Sequence, residues 1–396
     1  MSDSIRIAHF SDTHLGYRAF SKPDPLSGRN QRTIDTERAF ERIVTSILAN
    51  KPDLVIHSGD VFHHSRPSWH AVRHFVKQMR RIEESGIPTI VIAGNHDTPR
   101  LRTDGSVYSV LELALPGIRF VADYLDVNEV KLAEHLNLHI HAVPHGALTN
   151  DDPVLPLLLP GKRNIMISHG VVPGAMPETT HGEPGEQRLD EALLDTGFDY
   201  IALGHYHVHS QAKTRAWYAG ATERFGFGDF PAKPGYAMVT LHGEGSLPEI
   251  EHIPIRTRPM LMPKPVYATT ASAREIADRI LGDLEKTAEP DAMVSIALRD
   301  FDRPLRREVE SIIRRESGNF VWMVSFAADR QAGSLPNPTT EPLQSTDLRT
   351  LFAQFVSEKT GAPLSKEFAT RFLERGDRAL ETAILAATAT DEGATA

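Results

Sequence analysis

Short apolar runs punctuate this chain, and each breaks off in polar residues of a narrow set of types. Residues 5–10 (IRIAHF) run into Ser11-Asp12-Thr13-His14-Leu15-Gly16, and 53–56 open into His57-Ser58-Gly59-Asp60-Val61-Phe62-His63-His64. Residues 87–93 deliver Gly94-Asn95-His96-Asp97; 165–168 end in His169-Gly170; 198–203 end in Gly204-His205-Tyr206-His207. A short apolar run bounded by turn residues predicts a buried strand. Between the first of these, Phe40, Ile43, Val44, Ile47 and Leu48 fall at the i, i+3, i+4, i+7, i+8 spacing of an amphipathic helix. A second helix is expected after Pro67, with Val72, Phe75, Val76, Met79 and Ile82 inward and Arg73, Lys77, Arg80 and Arg81 on the solvated face. Residues 17–30 read as a loop, 98–135 as a short helix with extended pieces, and 138–144 as a further strand. The segments 217–218, 236–241 and 250–253 predict antiparallel strands. This alternation is that of an α/β (α+β) chain with helices packed outside paired sheets.

Arg258-Pro259 and the prolines at 263 and 265 mark a boundary. A smaller α/β piece follows. It holds a helix with Ala277, Ile280, Leu281 and Leu284, a strand at 294–298, a helix from Pro304 and a strand at 320–326. Arg299, Arg303, Arg306, Arg307, Arg314 and Arg315 lie in this piece, interleaved with Glu308, Glu310 and Glu316, so it can present either a phosphate-binding face or a surface of local ion pairs. Residues 331–342, rich in Pro, Gly, Ser, Asn and Thr, predict a linker. Beyond it Leu348, Leu351, Phe352, Phe355 and Val356 form a helical stripe, and Leu364, Phe368 and Phe372 begin another. Residues 386–396 are small and polar and are expected to be a disordered tail.

At 396 residues the chain exceeds one ordinary core. It contains no Cys, so a metal site must use nitrogen and oxygen donors, and its 19 His residues become the suspects. The net charge of −9 argues against a protein that coats nucleic acid by bulk charge. No apolar run reaches 18 residues and the N-terminus lacks a signal-peptide profile, so no membrane association and a cytoplasmic location are expected.

The strand ends supply the chemistry. Any one of them could be an ordinary polar turn. Five in order, each with Asp, Asn or His, predict a metal centre at the strand-to-loop junctions where α/β sheets place functional groups. Asp12, His14, Asp60, Asn95, His169, His205 and His207 are too many donors for one catalytic zinc. They suit two divalent cations that share a carboxylate, with Asp60 as the bridge. Asp12, His14 and His207 are assigned to one ion and Asn95, His169 and His205 to the other. Such a pair, about 3.5–4 Å apart, can clamp the attacking and leaving oxygens of a phosphoryl group. The mixed imidazole and oxygen set suits Mn²⁺, Fe or Zn²⁺ better than Ca²⁺. His96 is the expected general acid or charge-stabilising cation, its ring held by Asp97, and His63 is a second candidate for substrate or proton work. His57 reads as a satisfied interior residue; His64 and His209 are left out, and His145 and His181 read as loop residues.

The motifs Asp12-x-His14, Gly59-Asp60, Gly94-Asn95-His96-Asp97, His169 and Gly204-His205-x-His207 resemble the signature of the calcineurin-like metallophosphoesterases. His9 to Gly16, Gly59 to His63 with Arg66-Pro67-Ser68, and Tyr218-Ala219-Gly220-Ala221-Thr222-Glu223-Arg224 with Phe227-Gly228 narrow the resemblance to the SbcD branch of DNA repair exonucleases. Tyr-Ala-Gly-Ala stands where that branch usually has Tyr-Pro-Gly-Ser, a departure that leaves the donor set intact. The resemblance implies a four-layer αββα sandwich over 1–260, a small α/β cap over 265–330, and C-terminal helices over 343–385. It also implies a Mn²⁺-dependent nuclease, a 3′→5′ exonuclease on duplex DNA and an endonuclease on single strands. The implied partners are DNA and an SbcC-type SMC-like ATPase docked on the C-terminal helices. A homodimer is implied through the helices around residues 40–48 and 72–82. The rival reading is the same metal chemistry on a small nucleotide or phosphomonoester.

Overall fold

The computed structural model describes residues 4–122, 124, 128–130, 136–150, 158–175, 185–194, 197–243, 245–327 and 375–376. The chain divides into two compact units, Met1–Asp329 and Arg330–Ala396. The predicted linker, docking helices and tail fall in the second unit, outside the described residues except for 375–376.

The first stretch lays down β1 (Ile5–Phe10), α1 (Gln31–Asn50), β2 (Leu54–His57), α2 (Trp69–Glu84), β3 (Thr89–Ile92), α3 (Tyr108–Ala114) and β4 (Ile118–Val121). The four strands run parallel in that order. The chain then builds a second sheet from β5 (Asn128–Val130), β6 (Leu138–Val143), β7 (Arg163–His169), β8 (Tyr200–Gly204), β9 (Ser210–Lys213) and β10 (Ala216–Tyr218), with the one-turn helix α4 (Glu191–Leu194) between β7 and β8. It finally returns to the first sheet, where β11 (Gly235–Leu241) pairs antiparallel with β1, and β12 (Glu249–Pro254) with β11. Each sheet has six strands. The 217–218 expectation is corrected here: β10 is antiparallel to β9 but parallel to β8.

Strand parity shows why the layers form. In β1, β2 and β3 the residues Ile5, Ile7, Leu54, Ile56, Ile90 and Ile92 share one core with Ile140, Ala142, Ile165, Ile167, Tyr200 and Ala202 of the second sheet. Their neighbours Ala8, Phe10, Val55 and Val91 face the opposite way, onto Phe40, Ile43, Val44 and Ile47 of α1 and Phe75, Met79 and Ile82 of α2. Met166, Ile201 and Leu203 likewise turn outward onto Leu193 and Leu194 of α4. With period two, both faces of the central strands are buried. The mixed α/β fold is thus helix, sheet, sheet, helix, as predicted.

Two caps define the main helices. The Asn30 side chain accepts the Arg32 backbone N–H at the start of α1, and the Ser68 hydroxyl accepts that of Ala71 in α2. A hydrogen-bonded histidine lies between the two sheets. The His9 ring joins the Tyr200 hydroxyl of the second sheet at Nδ1 (2.7 Å) and the Ser58 hydroxyl beyond β2 at Nε2 (2.8 Å). Burial lowers its pKa to about 3, so it is neutral.

The smaller piece begins earlier than residue 265. β13 (Met260–Leu261) already pairs with β15 (Met293–Ile296), which pairs with β17 (Met323–Phe326). β14 (Val266–Tyr267) pairs with β16 (Leu298–Arg299). α5 (Ala273–Thr287), held by a Ser272–Glu275 capping box, and α6 (Arg303–Glu316) pack a separate core on these strands. Arg306 and Arg314 both engage Glu310, and Arg315 engages Glu316, so these three arginines form local ion pairs. Arg258 ties this piece to the larger one. Its guanidinium forks onto Asp35 (2.6 and 2.9 Å), donates to the Asp291 carbonyl (2.9 Å) and lies over the Trp322 ring at 4.5 Å.

Candidate metal centre

Parallel neighbours present their C-terminal ends on the same edge of a sheet. β1, β2 and β3 therefore deliver Asp12, His14, Asp60, Asn95 and His96 together, and β7 and β8 deliver His169, His205 and His207. The turns are tight. Asp12, His14, Asp60 and His205 all have positive φ (52°, 41°, 56° and 115°), a region that costs a non-glycine residue about 1–3 kcal/mol. Four of the nine such non-glycine positions among the described residues are thus predicted donors. Two glycines make the approach possible. A Cβ on Gly94 would overlap the Asp60 carboxylate, and one on Gly59 (φ 103°) would overlap the His169 ring.

The donors converge. The ligand atoms of Asp12, His14 and His207 lie within 4.8 Å of one another, as do those of Asp12, Asp60 and His169, and those of His14, His63 and His96. Asn95 Oδ1 is 3.0 Å from His169 Nε2. The His205 backbone N–H donates to both Asp12 oxygens at 3.2 Å, and its ring centroid is 5.6 Å from that of His169. Six of the seven predicted donors therefore meet through side-chain atoms, and His205 adjoins them through its backbone N–H and its ring edge.

The cluster calls for positive charge. The His169 Nδ1–H donates to the Ser58 carbonyl (2.8 Å), an atom that can only accept. Nε2 then faces two oxygens, Asn95 Oδ1 at 3.0 Å and Asp60 Oδ2 at 3.4 Å. A lone pair facing two acceptors is satisfied by a proton or by a cation. Although burial opposes it, the Asp60 carboxylate beside His169 lifts the ring's pKa to about 9. Burial raises Asp12 to about 6. Burial acts the same way on Asp60, but His169 and His14 hold its carboxyl well below the usual range. His14 Nε2 is buried without a hydrogen-bond partner, 3.6 Å from Asp60 Oδ2 and 4.0 Å from Asp12 Oδ1. Those gaps are too long for hydrogen bonds and suit donors around a common ion at roughly 2.0–2.2 Å from each. The residues present fit a divalent metal.

The proton-transfer candidates sit beside this cluster. His96 donates through Nδ1 to the His63 carbonyl (2.9 Å), which turns Nε2 to the far side of the ring. Its ring stacks on that of His63 at 5.1 Å and meets that of His14 edge-on at 4.7 Å. His63 Nδ1 is 3.4 Å from His14 Nδ1. A cleft of about 740 Å³ opens over them, lined by His63, Asn95, His96, Arg100, Tyr124 and His145.

Asp97 corrects one expectation. Its carboxylate accepts the backbone N–H groups of Val61, Phe62 and Gly94 and the Tyr108 hydroxyl, at 2.9 to 3.2 Å. It splices the loop after β2 to the loop after β3, while a carbonyl orients His96. His57 is interior as expected, 3.2 Å from the Thr13 hydroxyl; His145 lines the cleft and meets the Gly185 carbonyl at 2.7 Å. His181 lies outside the described residues.

Sequence reasoning missed several residues around the donors. Glu186 lies 3.4 Å from His205 Nε2, and nothing in the surrounding sequence marked it. Asp229 lies 3.1 Å from His207 Nδ1. It directly follows the Phe227-Gly228 that ends the family motif, a signal that was within reach.

Comparison with known proteins gives the same picture. The profile of the calcineurin-like phosphoesterase family matches residues 5–209. A DNA double-strand break repair protein Mre11 of Sulfurisphaera tokodaii is 32% identical over 204 residues, 51% of this chain and 49% of that protein. That of Haloferax volcanii is 27% identical over 333 residues, 82% and 68% of the two chains. That of Saccharolobus solfataricus is 29% identical over 209 residues, 52% and 50%. In the first and third, the match spans about half the length of the curated relative. The resemblance carried by the motifs thus holds. The chain belongs to the calcineurin-like phosphoesterase family, whose match runs from the first strand to just past His207, the last of the converging donors.

Proposed function

We propose that this chain is a metal-dependent DNA phosphodiesterase of double-strand-break repair, acting in the cytoplasm. The observation that supports the reading is the convergence of side chains from two sheets, Asp12, His14, Asp60, Asn95, His169 and His207, beside an open cleft. The break-repair names of the relatives support DNA as the substrate. Asp12, His14 and His207 would hold one divalent ion and Asn95, His169 and His205 the other, with Asp60 between them; Mn²⁺ is the favoured metal. When bound, the pair supplies Lewis-acid stabilisation of phosphoryl charge and eases deprotonation of the attacking water. His96 holds a proton at Nε2 for the leaving oxygen, kept in that orientation by the His63 carbonyl. His63 backs it through ring stacking and presents its own imidazole to the cleft.

The proposed activity is 3′→5′ exonuclease action on duplex DNA with endonuclease action on single strands, alongside an SMC-like ATPase. The apolar stripe of Leu348, Leu351, Phe352, Phe355 and Val356 suits a helix laid in a groove of that partner. A second copy of the chain is the other proposed partner. The stripe on α1 is buried in its own core. The apolar surface left for a copy is at the start of α2 and on α3, where Trp69, Val110 and Leu113 are 82%, 53% and 84% exposed.

The test is cleavage of an end-labelled duplex by the full chain with Mn²⁺. Loss of the 3′ label, abolished by chelator and restored by Mn²⁺, supports the reading. Rapid turnover of mononucleotides with DNA left intact decides for the small-substrate alternative instead.

A further inference from the structure

Among the donors, the described partners of the histidine rings differ in kind. His169 gives its Nδ1–H to the Ser58 carbonyl, a neutral acceptor, and His205 Nε2 lies at a longer 3.4 Å from a Glu186 oxygen. His207 Nδ1 meets a carboxylate, Asp229 Oδ1 at 3.1 Å. The other Asp229 oxygen accepts the Phe225 backbone N–H at 2.9 Å, so the carboxylate is aimed from both ends. The loop that carries it is pinned. The buried guanidinium of Arg32 in α1 bonds the Arg224 carbonyl, Arg224 Nε bonds the Ala232 carbonyl (2.8 Å), and the Tyr17 hydroxyl bonds the Phe225 carbonyl (2.6 Å). Phe225 also packs edge-on against the His207 ring at 4.9 Å and the His14 ring at 4.7 Å.

A carboxylate on one imidazole nitrogen fixes the tautomer and orientation of the ring and raises the basicity of the other nitrogen. We infer that Asp229 is a positioning residue that makes the two metal sites unequal. Through His207 it strengthens the site of Asp12, His14 and His207, which becomes the tighter of the two and the first to fill. This rests on the two-metal reading above.

The test is titration of the full chain, stripped by chelator, with Mn²⁺ by calorimetry, together with electron paramagnetic resonance of the bound ion. The wild type is expected to bind in two steps, with an isolated Mn²⁺ signal at one equivalent and a spin-coupled pair at two. Asp229→Asn keeps the shape and an acceptor for Phe225 but loses the charge. It is expected to weaken the tighter step by about 10–100-fold, the usual effect of removing such a partner, and to leave the weaker step unchanged. Asp229→Glu, which keeps the charge, is expected to retain a tighter step than Asn. Equal affinities in Asn, Glu and wild-type proteins overturn the inference, as does an equal loss in both substituted proteins. If either variant unfolds, the wild type still decides: two ions that fill together, with a coupled signal from the first equivalent onward, overturn it. A wild type that takes up no pair of ions sinks the two-metal reading itself, a separate outcome.

Discussion

His96 owes its place to one backbone carbonyl. At the mouth of a cleft, the His63 oxygen takes its Nδ1–H and so sets the orientation of the ring. A positioned acid of this kind contributes roughly 10²–10⁴-fold to rate. His96→Ala is therefore expected to lose about that much DNA cleavage while its bound metal, measured by elemental analysis, stays at the wild-type level. Loss of metal in step with activity would move His96 from proton transfer to ligation. Asp97 works differently, through three backbone N–H groups and a tyrosine hydroxyl. Its contribution is the shape of two loops, which is why adjacency to His96 alone misread it.

At the scale of elements, the strands and the polar residues at their ends were legible because both signals are local. An apolar run ending in Asp-x-His or Gly-Asn-His-Asp is visible without any knowledge of pairing. What stayed hidden was non-local. The parallel placement of β10 beside β8, the return of β11 to β1 and the two-residue strand β13 depend on partners far along the chain. Asp35 shows the same limit: it sits within the α1 pattern as a polar residue, yet receives Arg258 from 223 residues away. Burial alone would raise its carboxyl, but the Arg258 guanidinium bonded to it, with Arg32 nearby, holds it below the usual range. Because the folded pKa is the lower one, this stabilisation is complete above the ordinary aspartate value of about 3.9 and is lost as pH falls through the folded value. Asp35→Asn is expected to cost about 3 kcal/mol near neutral pH, since it removes the carboxylate bonded to the largely buried Arg258 guanidinium. The urea midpoint of the wild type should fall on acidification below pH 4 by more than that of the variant. Equal acid slopes would remove Asp35 from the account.

For the whole molecule, strain and charge at the centre tie metal uptake to stability. Four donors hold unfavourable backbone conformations and two carboxylates are fully buried, so a cation that binds only the folded chain stabilises it by mass action. At a hundredfold excess over its dissociation constant the gain is about 2.7 kcal/mol for one site. The melting temperature is expected to rise with Mn²⁺ and drop with chelator, and a melting curve indifferent to both contradicts the assignment. The exposed Trp69, Val110 and Leu113 belong to the same scale. Leu113→Glu is expected to convert the proposed dimer into a monomer by light scattering, with the melting temperature held; a wild type that is already monomeric removes this surface from the proposal.

The His9 ring carries a consequence for how accurately the centre can be assembled. Two greasy faces pressed together tolerate sliding, because one aliphatic contact is much like the next. A hydrogen-bonded ring that must satisfy Tyr200 on one side and Ser58 on the other does not. It acts as a dowel between slabs, and Ser58 in turn supplies the carbonyl that orients His169. Donors that reach the centre from opposite slabs can then meet with tolerances finer than oily packing alone would set.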